Sequence, residues 1–318
     1  MFPRKRRNKS GTISVVLVSK AHGDYKEVMN LGVVKSEIEA DALFMKAQDC
    51  LRQYGGQQEL DFILSHYQYG LTAADVTARM TALYTEKGSK AQSRYHKTGK
   101  GDYAEGDKFI GLNRAKVRTI VKDIKGNIGA DEIGKMLASE WHEVRMCGFL
   151  LIVEMMNEAL PKRRKAGDAR RRQEVADFYL AHARETAGWD IIDNTAPQVI
   201  GAWLLYPDEN GLMPNRSVLD RLAKSDNLWE QRIAIVSTQA LIKAGQLKDT
   251  LRIAQKLRHH SHDLIHKAVG WMLREAGKKD VSALRKFLEK FAFSMPRTML
   301  RYAIERMPKE ERTKWMAR

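Results

Sequence analysis

Leu228-Trp229-Glu230-Gln231-Arg232-Ile233-Ala234 opens an amphipathic stretch that runs to about residue 244, and this kind of opening recurs along the chain. Glu143-Val144-Arg145-Met146-Cys147, Ile192-Asp193-Asn194-Thr195, Ile265-His266-Lys267-Ala268 and Leu300-Arg301-Tyr302-Ala303 each stand near the start of an apolar segment with helical spacing. The intervals between Arg145, Asp193, Arg232, His266 and Arg301 are 48, 39, 34 and 35 residues. A drifting period of this size in helical sequence marks stacked helix pairs of the HEAT type, because no single pair can bury its own apolar stripe. The inner helices of such a solenoid show their first-turn polar residues on one concave face. Arg145, Asp193, Arg232 and Lys267 are therefore expected on a common surface.

Outward from these motifs the helical pattern continues at roughly 114–125, 131–138, 141–158, 171–186, 196–206, 216–223, 228–244, 247–258, 262–276, 281–291 and 296–306. Thr72 can cap a helix carrying Val76, Met80 and Leu83, whereas the polar, glycine-containing residues 87–108 read as a loop. Ahead of Thr72 the character differs. Residues 12–18 are rich in β-branched side chains, Gly23-Asp24 is a turn signal, and Tyr25 to Leu31 reads as a return strand that Gly32 ends. Residues 36–54 have helical spacing, and Gly55-Gly56-Gln57-Gln58 reads as a linker. The expected fold is all-α, a HEAT-like repeat solenoid with a concave groove in residues 62–318, preceded by a small β-hairpin and helix appendage in residues 1–61.

The charge is uneven. The net charge is +16, of which residues 1–61 carry only +2, with 10 Lys+Arg against 8 Asp+Glu. A basic body of this kind suits a polyanion, and phosphate contacts would make the binding salt-dependent. No apolar run approaches the ~20 residues of a membrane span. The basic start Arg4-Lys5-Arg6-Arg7 is followed by too short an apolar stretch for a signal peptide, so a cytoplasmic protein is expected. Two distant cysteines, Cys50 and Cys147, are read as reduced, with Cys147 in the core.

Tyr103-Ala104-Glu105-Gly106-Asp107-Lys108-Phe109-Ile110-Gly111-Leu112 resembles the opening motif of the DNA alkylation repair enzymes, the AlkD-like alkylpurine DNA glycosylases. Trp189-Asp190-Ile191-Ile192-Asp193, Leu228 to Ala234, and His266-Lys267-Ala268-Val269-Gly270-Trp271-Met272-Leu273-Arg274-Glu275 agree with it in family order, so that the resemblance spans about residues 70–310. Met295 to Tyr302 departs from the pattern and suits only some branches. The resemblance implies a solenoid gripping duplex DNA and hydrolysis of the bond between deoxyribose and a purine alkylated on a ring nitrogen. It places the key carboxylate on Asp193, the lesion-side tryptophans on Trp189 and Trp271, and the key arginine on Arg232. Tyr103 becomes a DNA-side contact.

The chemistry is coherent without the name. A cationic base departs as a neutral molecule and needs no general acid, whereas the sugar becomes oxocarbenium-like and needs a fixed carboxylate. Trp189 and Asp193 are four residues apart, on one face if helical. Pro197 is expected to start or break a helix. Arg232 is expected to pin a phosphate. Each residue alone also has a structural reading: core tryptophans, an aspartate cap, an arginine bridging helices. The basic run Lys162, Arg163, Arg164, Lys165 with Arg170, Arg171 and Arg172 is expected to flank DNA phosphates, together with Arg145 and Lys267.

His259, His260, His262 and His266 offer no evident third metal ligand, and no glycine-rich nucleotide motif is present, so neither metal nor cofactor is expected. The expected partner is duplex DNA containing alkylated bases, bound by a monomer away from any membrane. A HEAT-type scaffold that binds DNA or protein without catalysis is the alternative. Met1 to Gly11 with Tyr25-Lys26-Glu27-Val28 resembles the amino end of certain insertion-sequence transposases, without their catalytic acidic residues. A gene-fusion remnant or an accessory DNA-binding module would both account for it.

Overall fold

The computed structural model describes residues 2–21, 24–37, 39–45, 70–162 and 167–317. The chain divides into two compact units, Met1–Ala78 with Ile124–Ile133, and Arg79–Asp123 with Gly134–Arg318. The boundary expected after residue 61 lies outside the described residues, as does most of the linker and helix expected before it.

The first unit holds a three-stranded antiparallel sheet in the order β1 (Phe2–Arg7), β2 (Ile13–Ala21), β3 (Asp24–Val34). Ile13, Val15 and Leu31 form a small core with Ala40, against which Val34, Leu43 and Phe44 pack. Two sequence expectations change here. Gly32 does not end the return strand but sits inside it, where pairing shifts register between Val15 and Val16. A glycine within a strand commonly marks such a bulge. The basic run at the start of the chain is itself a strand. As an edge strand it carries charges that are met by acids: Lys5 by Asp41, Arg6 by Glu27 at 2.8 Å and Arg7 by Glu37 at 2.6 Å. Charged side chains are a usual way of protecting a sheet edge.

Everything described from residue 73 onward is helix upon helix, an all-α repeat fold behind the small β appendage. The helices are α1 (Ala73–Thr81), α2 (Glu86–His96), α3 (Arg114–Ile124), α4 (Ala130–Leu137), α5 (His142–Ala159), α6 (Ala169–Ala181), α7 (Trp189–Ala196), α8 (Ser217–Ala223), α9 (Leu228–Val236), α10 (Thr238–Lys243), α11 (Lys248–Leu257), α12 (Asp263–Lys279), α13 (Val281–Phe291), α14 (Arg297–Ala303) and α15 (Lys309–Met316). In the second unit the five motif helices pack in sequence, α5 on α7, α7 on α9, α9 on α12 and α12 on α14, while α6, α8, α11 and α13 cover them from behind. Glycine permits close approach between them. A Cβ on Gly270 would stand 2.5 Å from the Met299 carbonyl oxygen and from Tyr302 Cβ.

Three helical expectations are corrected. Residues 87–108 are not all loop, because α2 occupies their first part. It is polar with no apolar stripe to announce it, but Thr85 caps it by accepting from Gly88 N. The segment expected from residue 196 begins earlier, while the break expected at Pro197 is present, since α7 ends at Ala196. The segment starts at Trp189 and passes through Pro197 in a π turn, Pro197–Gly201. Proline has no N–H for the carbonyl of residue 193, and the wider turn absorbs that gap. Helix α15 follows the last segment expected from the sequence. Among the described residues no helix is long and apolar enough to cross a membrane. Cys147 is a free, buried core thiol, and burial pushes it up to about 12. Cys50 lies outside the described residues.

Candidate active site

The first turn of α7 organises the second unit. Gly188 is extended and leads into Trp189 and Asp190, and Asp193 follows one turn later. Asp193 and Trp189 share a face, as their spacing suggests, and both line a cleft of about 690 Å³. Trp271, Lys267 and Arg274 reach it from α12, Tyr103 from the loop before α3, Tyr95 from α2 and Tyr302 from α14.

Asp193 is gripped from behind. Arg232 Nε donates to Oδ1 at 3.0 Å and Nη2 donates to Oδ2 at 2.8 Å, a bidentate fork that suits an ionised carboxylate. Arg232 Nη1 donates to the Leu264 carbonyl at 2.6 Å, where α12 begins, so one guanidinium joins three successive motif helices. Burial raises the Asp193 pKa above the ordinary range while Arg232 opposes the shift. The carboxylate is 17% exposed and Arg232 only 5%. The expected phosphate contact by Arg232 is therefore corrected. Its guanidinium is buried and committed to Asp193 and Leu264.

The aromatic wall is built as tightly. Trp189 Nε1 donates to the Tyr103 hydroxyl at 3.1 Å, and Tyr95 meets the Trp189 ring edge-on at 5.5 Å. Tyr103 is half-buried. Burial raises its hydroxyl pKa, against the Trp189 bond that lowers it. Its loop is fixed by Glu143 on α5, whose buried carboxylate accepts from the backbone N–H groups of Ile110, Gly111 and Leu112 at 2.9, 2.7 and 3.1 Å. Cations complete the rim: Lys267, paired with Asp263 at 2.6 Å, and Arg274, paired with Glu275 and Glu305.

Behind Trp189 lies a largely buried network. His142 contacts Asp107 through Nδ1 at 3.2 Å and Asp190 through Nε2 at 3.0 Å. Arg145 grips Asp107 at 2.7 and 2.8 Å and donates to the Ser139 carbonyl at 2.9 Å. His96 stacks between Phe109 and Trp189, with ring centroids 5.0 and 5.6 Å away. Burial alone would lower the His142 pKa, but Asp190 and Asp107 raise it to about 9. Burial raises Asp190, yet the charge and hydrogen bond of His142 bring it below its ordinary value. Burial lowers His96.

Asp193, Trp189, Trp271, Arg232, Tyr103 and Lys267 thus come together in one place. Arg145 does not join them. It is buried in the network behind, where Ser139 takes its Nη1 and Asp107 its Nη2. Arg172 is also withdrawn from any phosphate role, being buried and donating to the Ala159 and Pro207 carbonyls at 3.2 and 2.7 Å. Arg170 and Arg171 are exposed on the first turn of α6, both paired with Glu174, and Lys162 is exposed. Arg163, Arg164 and Lys165 lie outside the described residues. His262 and His266 serve as helix cap and loop tie: His262 Nδ1 accepts from Leu264 N, and His266 Nε2 bonds the His260 carbonyl. Tyr95, Tyr302 and the His96–His142–Asp190 group are absent from the sequence reading of the site. Tyr302 and Asp190 stand in quoted motifs, but Tyr95 and His96 fall where only a loop was legible.

A chemistry follows from this geometry. A carboxylate held in place faces an aromatic cleft whose indole and phenol rings can hold a cationic group, each contact being worth about 0.5–2 kcal/mol. The family model described as DNA alkylation repair enzyme matches residues 76–307. Among solved structures, the chain is similar to one described as "Predicted DNA alkylation repair enzyme from Enterococcus faecalis", with TM-score 0.52 and 16% identity, over 71% of this chain and 97% of that one. At that identity the likeness concerns the fold. No curated protein matches the chain.

Proposed function

Because this chain belongs to the DNA alkylation repair enzyme family, we propose that it is a DNA glycosylase for cationic alkylated purines, of the 3-methyladenine and 7-methylguanine type, in duplex DNA. The observation that carries the reading is the Asp193 carboxylate, fixed by Arg232 and facing a cleft walled by Trp189 and Trp271. In this reaction the bond between C1′ and the purine nitrogen breaks and its electron pair neutralises the cationic base. Positive charge develops on the sugar, where Asp193 stabilises it. Water then bonds to C1′ and releases a proton. Trp189 and Trp271 hold the charged sugar or base against their faces. Arg232 acts on Asp193, as a positioning residue.

The motif helices would form a HEAT-like solenoid whose concave face takes the duplex. Tyr103 and Lys267 would lie on the DNA side of the cleft, and Lys162, Arg170 and Arg171 would meet phosphates farther out. The protein would work as a monomer in the cytoplasm, with residues 1–61 outside the working unit.

The test is chromatography of bases freed by the purified protein from duplexes containing 7-methylguanine or uracil. Release of the methylated purine is expected, with little or no uracil, because a neutral base needs a general acid to leave. Uracil release without methylated purine would sink the mechanism. Salt-dependent DNA binding with no base release would favour a scaffold.

A further inference from the structure

We propose that His96, His142 and Asp190 form a binding site for a divalent transition-metal ion of the zinc class, on the far side of Trp189 from the cleft. The site goes beyond the glycosylase reading and does not depend on it.

Three helix ends converge here: His96 closes α2, His142 opens α5 and Asp190 lies in the first turn of α7. One ligand atom from each lies within 4.8 Å of the others. His142 Nε2 is 3.0 Å and His96 Nε2 3.8 Å from Asp190 Oδ2. Zinc bonds of ~2.0–2.1 Å in a tetrahedron separate their ligand atoms by about 3.3 Å, so the present spacings bracket what an ion needs. Two imidazoles and a carboxylate are an ordinary donor set for zinc and its neighbours.

Three further features point to a ligand. Metal-bound histidines usually have the other ring nitrogen held by a carboxylate, and His142 Nδ1 stands against Asp107, itself held by Arg145. Among the described residues, Asp190 Oδ1 is buried with no hydrogen-bond partner. Buried polar atoms seldom remain so. A separate cavity of about 330 Å³ reaches all three residues and offers the ion a route in, past Gln92, Asn113 and Asn194. Asp190 sets a negative charge beside the proposed ion, and Asp107 braces the far nitrogen of His142. The ion would fasten the start of α7, one residue from Trp189 and three from Asp193.

The test uses the full chain, stripped with chelator and titrated with Co²⁺ as an optical probe, then with Zn²⁺. One equivalent should produce the intense visible band of a four-coordinate nitrogen and oxygen site, and Zn²⁺ should remove it. Zn²⁺ should also raise the melting temperature, as any ligand of the native state does. His96→Gln and Asp190→Asn should abolish both effects, while His262→Asn should leave the band in place. If His96→Gln does not fold, the near-isosteric Asp190→Asn decides. X-ray absorption of the zinc-loaded unmodified protein should show two imidazoles per metal. Absence of saturable binding at micromolar protein would overturn the site, as would a band that survives in Asp190→Asn or a metal with fewer than two imidazoles.

Discussion

Asp190 and Asp193 stand three residues apart on one helix, yet they serve opposite surroundings. Asp193 faces the open cleft and is gripped from behind by Arg232, which leaves its outer side to a ligand. Asp190 faces the largely buried network, where His142 and His96 crowd one of its oxygens. Trp189 separates the two, with the cleft on one side and the stacked His96 ring on the other. The difference teaches that a buried carboxylate becomes useful through where its partner stands. A partner behind it aims it, and partners crowded in front of it take up the oxygen it would offer.

The largest effect should come from the aimed carboxylate. Asp193→Asn should lower base excision by ~100-fold or more, the scale of a lost transition-state charge contact. The amide keeps one acceptor for Arg232, so a lower melting temperature is expected with the fold retained, and excision should be read well below the melt. Undiminished excision by the Asn variant would remove Asp193 from the chemistry.

Arg232→Ala comes next. Because the guanidinium meets Asp193 and Leu264, excision and stability should fall together, the latter by about 3–5 kcal/mol as for a broken buried pair. Affinity for undamaged duplex should change little. A large loss of that affinity with unchanged melting would restore Arg232 to the phosphate.

The tryptophans divide the two regions. Trp271→Ala should reduce excision about 2- to 30-fold, the equivalent of one cation–π contact, with a small change in stability. Trp189→Ala should reduce both, since its ring also covers His96 and its N–H holds Tyr103. Equal thermal melts for the two variants would show that Trp189 is no partition.

The smallest effect should come from removing residues 1–61. The family match begins at residue 76, and a soluble truncation with unaltered excision is expected. An insoluble or inactive truncation would make the appendage part of the working unit.

By itself the sequence determined the helices and their recurrence, because an apolar stripe at helical spacing is local information. It brought Trp189 and Asp193 to one face for the same reason. Where local signals were weak, it was silent or misleading. Helix α2 is polar and lacks a stripe, and β1 hides among basic residues whose acids come from elsewhere. Only the tertiary structure decided which arginine aims the carboxylate and which is buried away from DNA. The Asp193–Arg232 pair spans 39 residues and the His142–Asp190 contact spans 48. Such meetings depend on how successive repeats stack, and stacking is a property of packed surfaces that no single stretch of sequence contains.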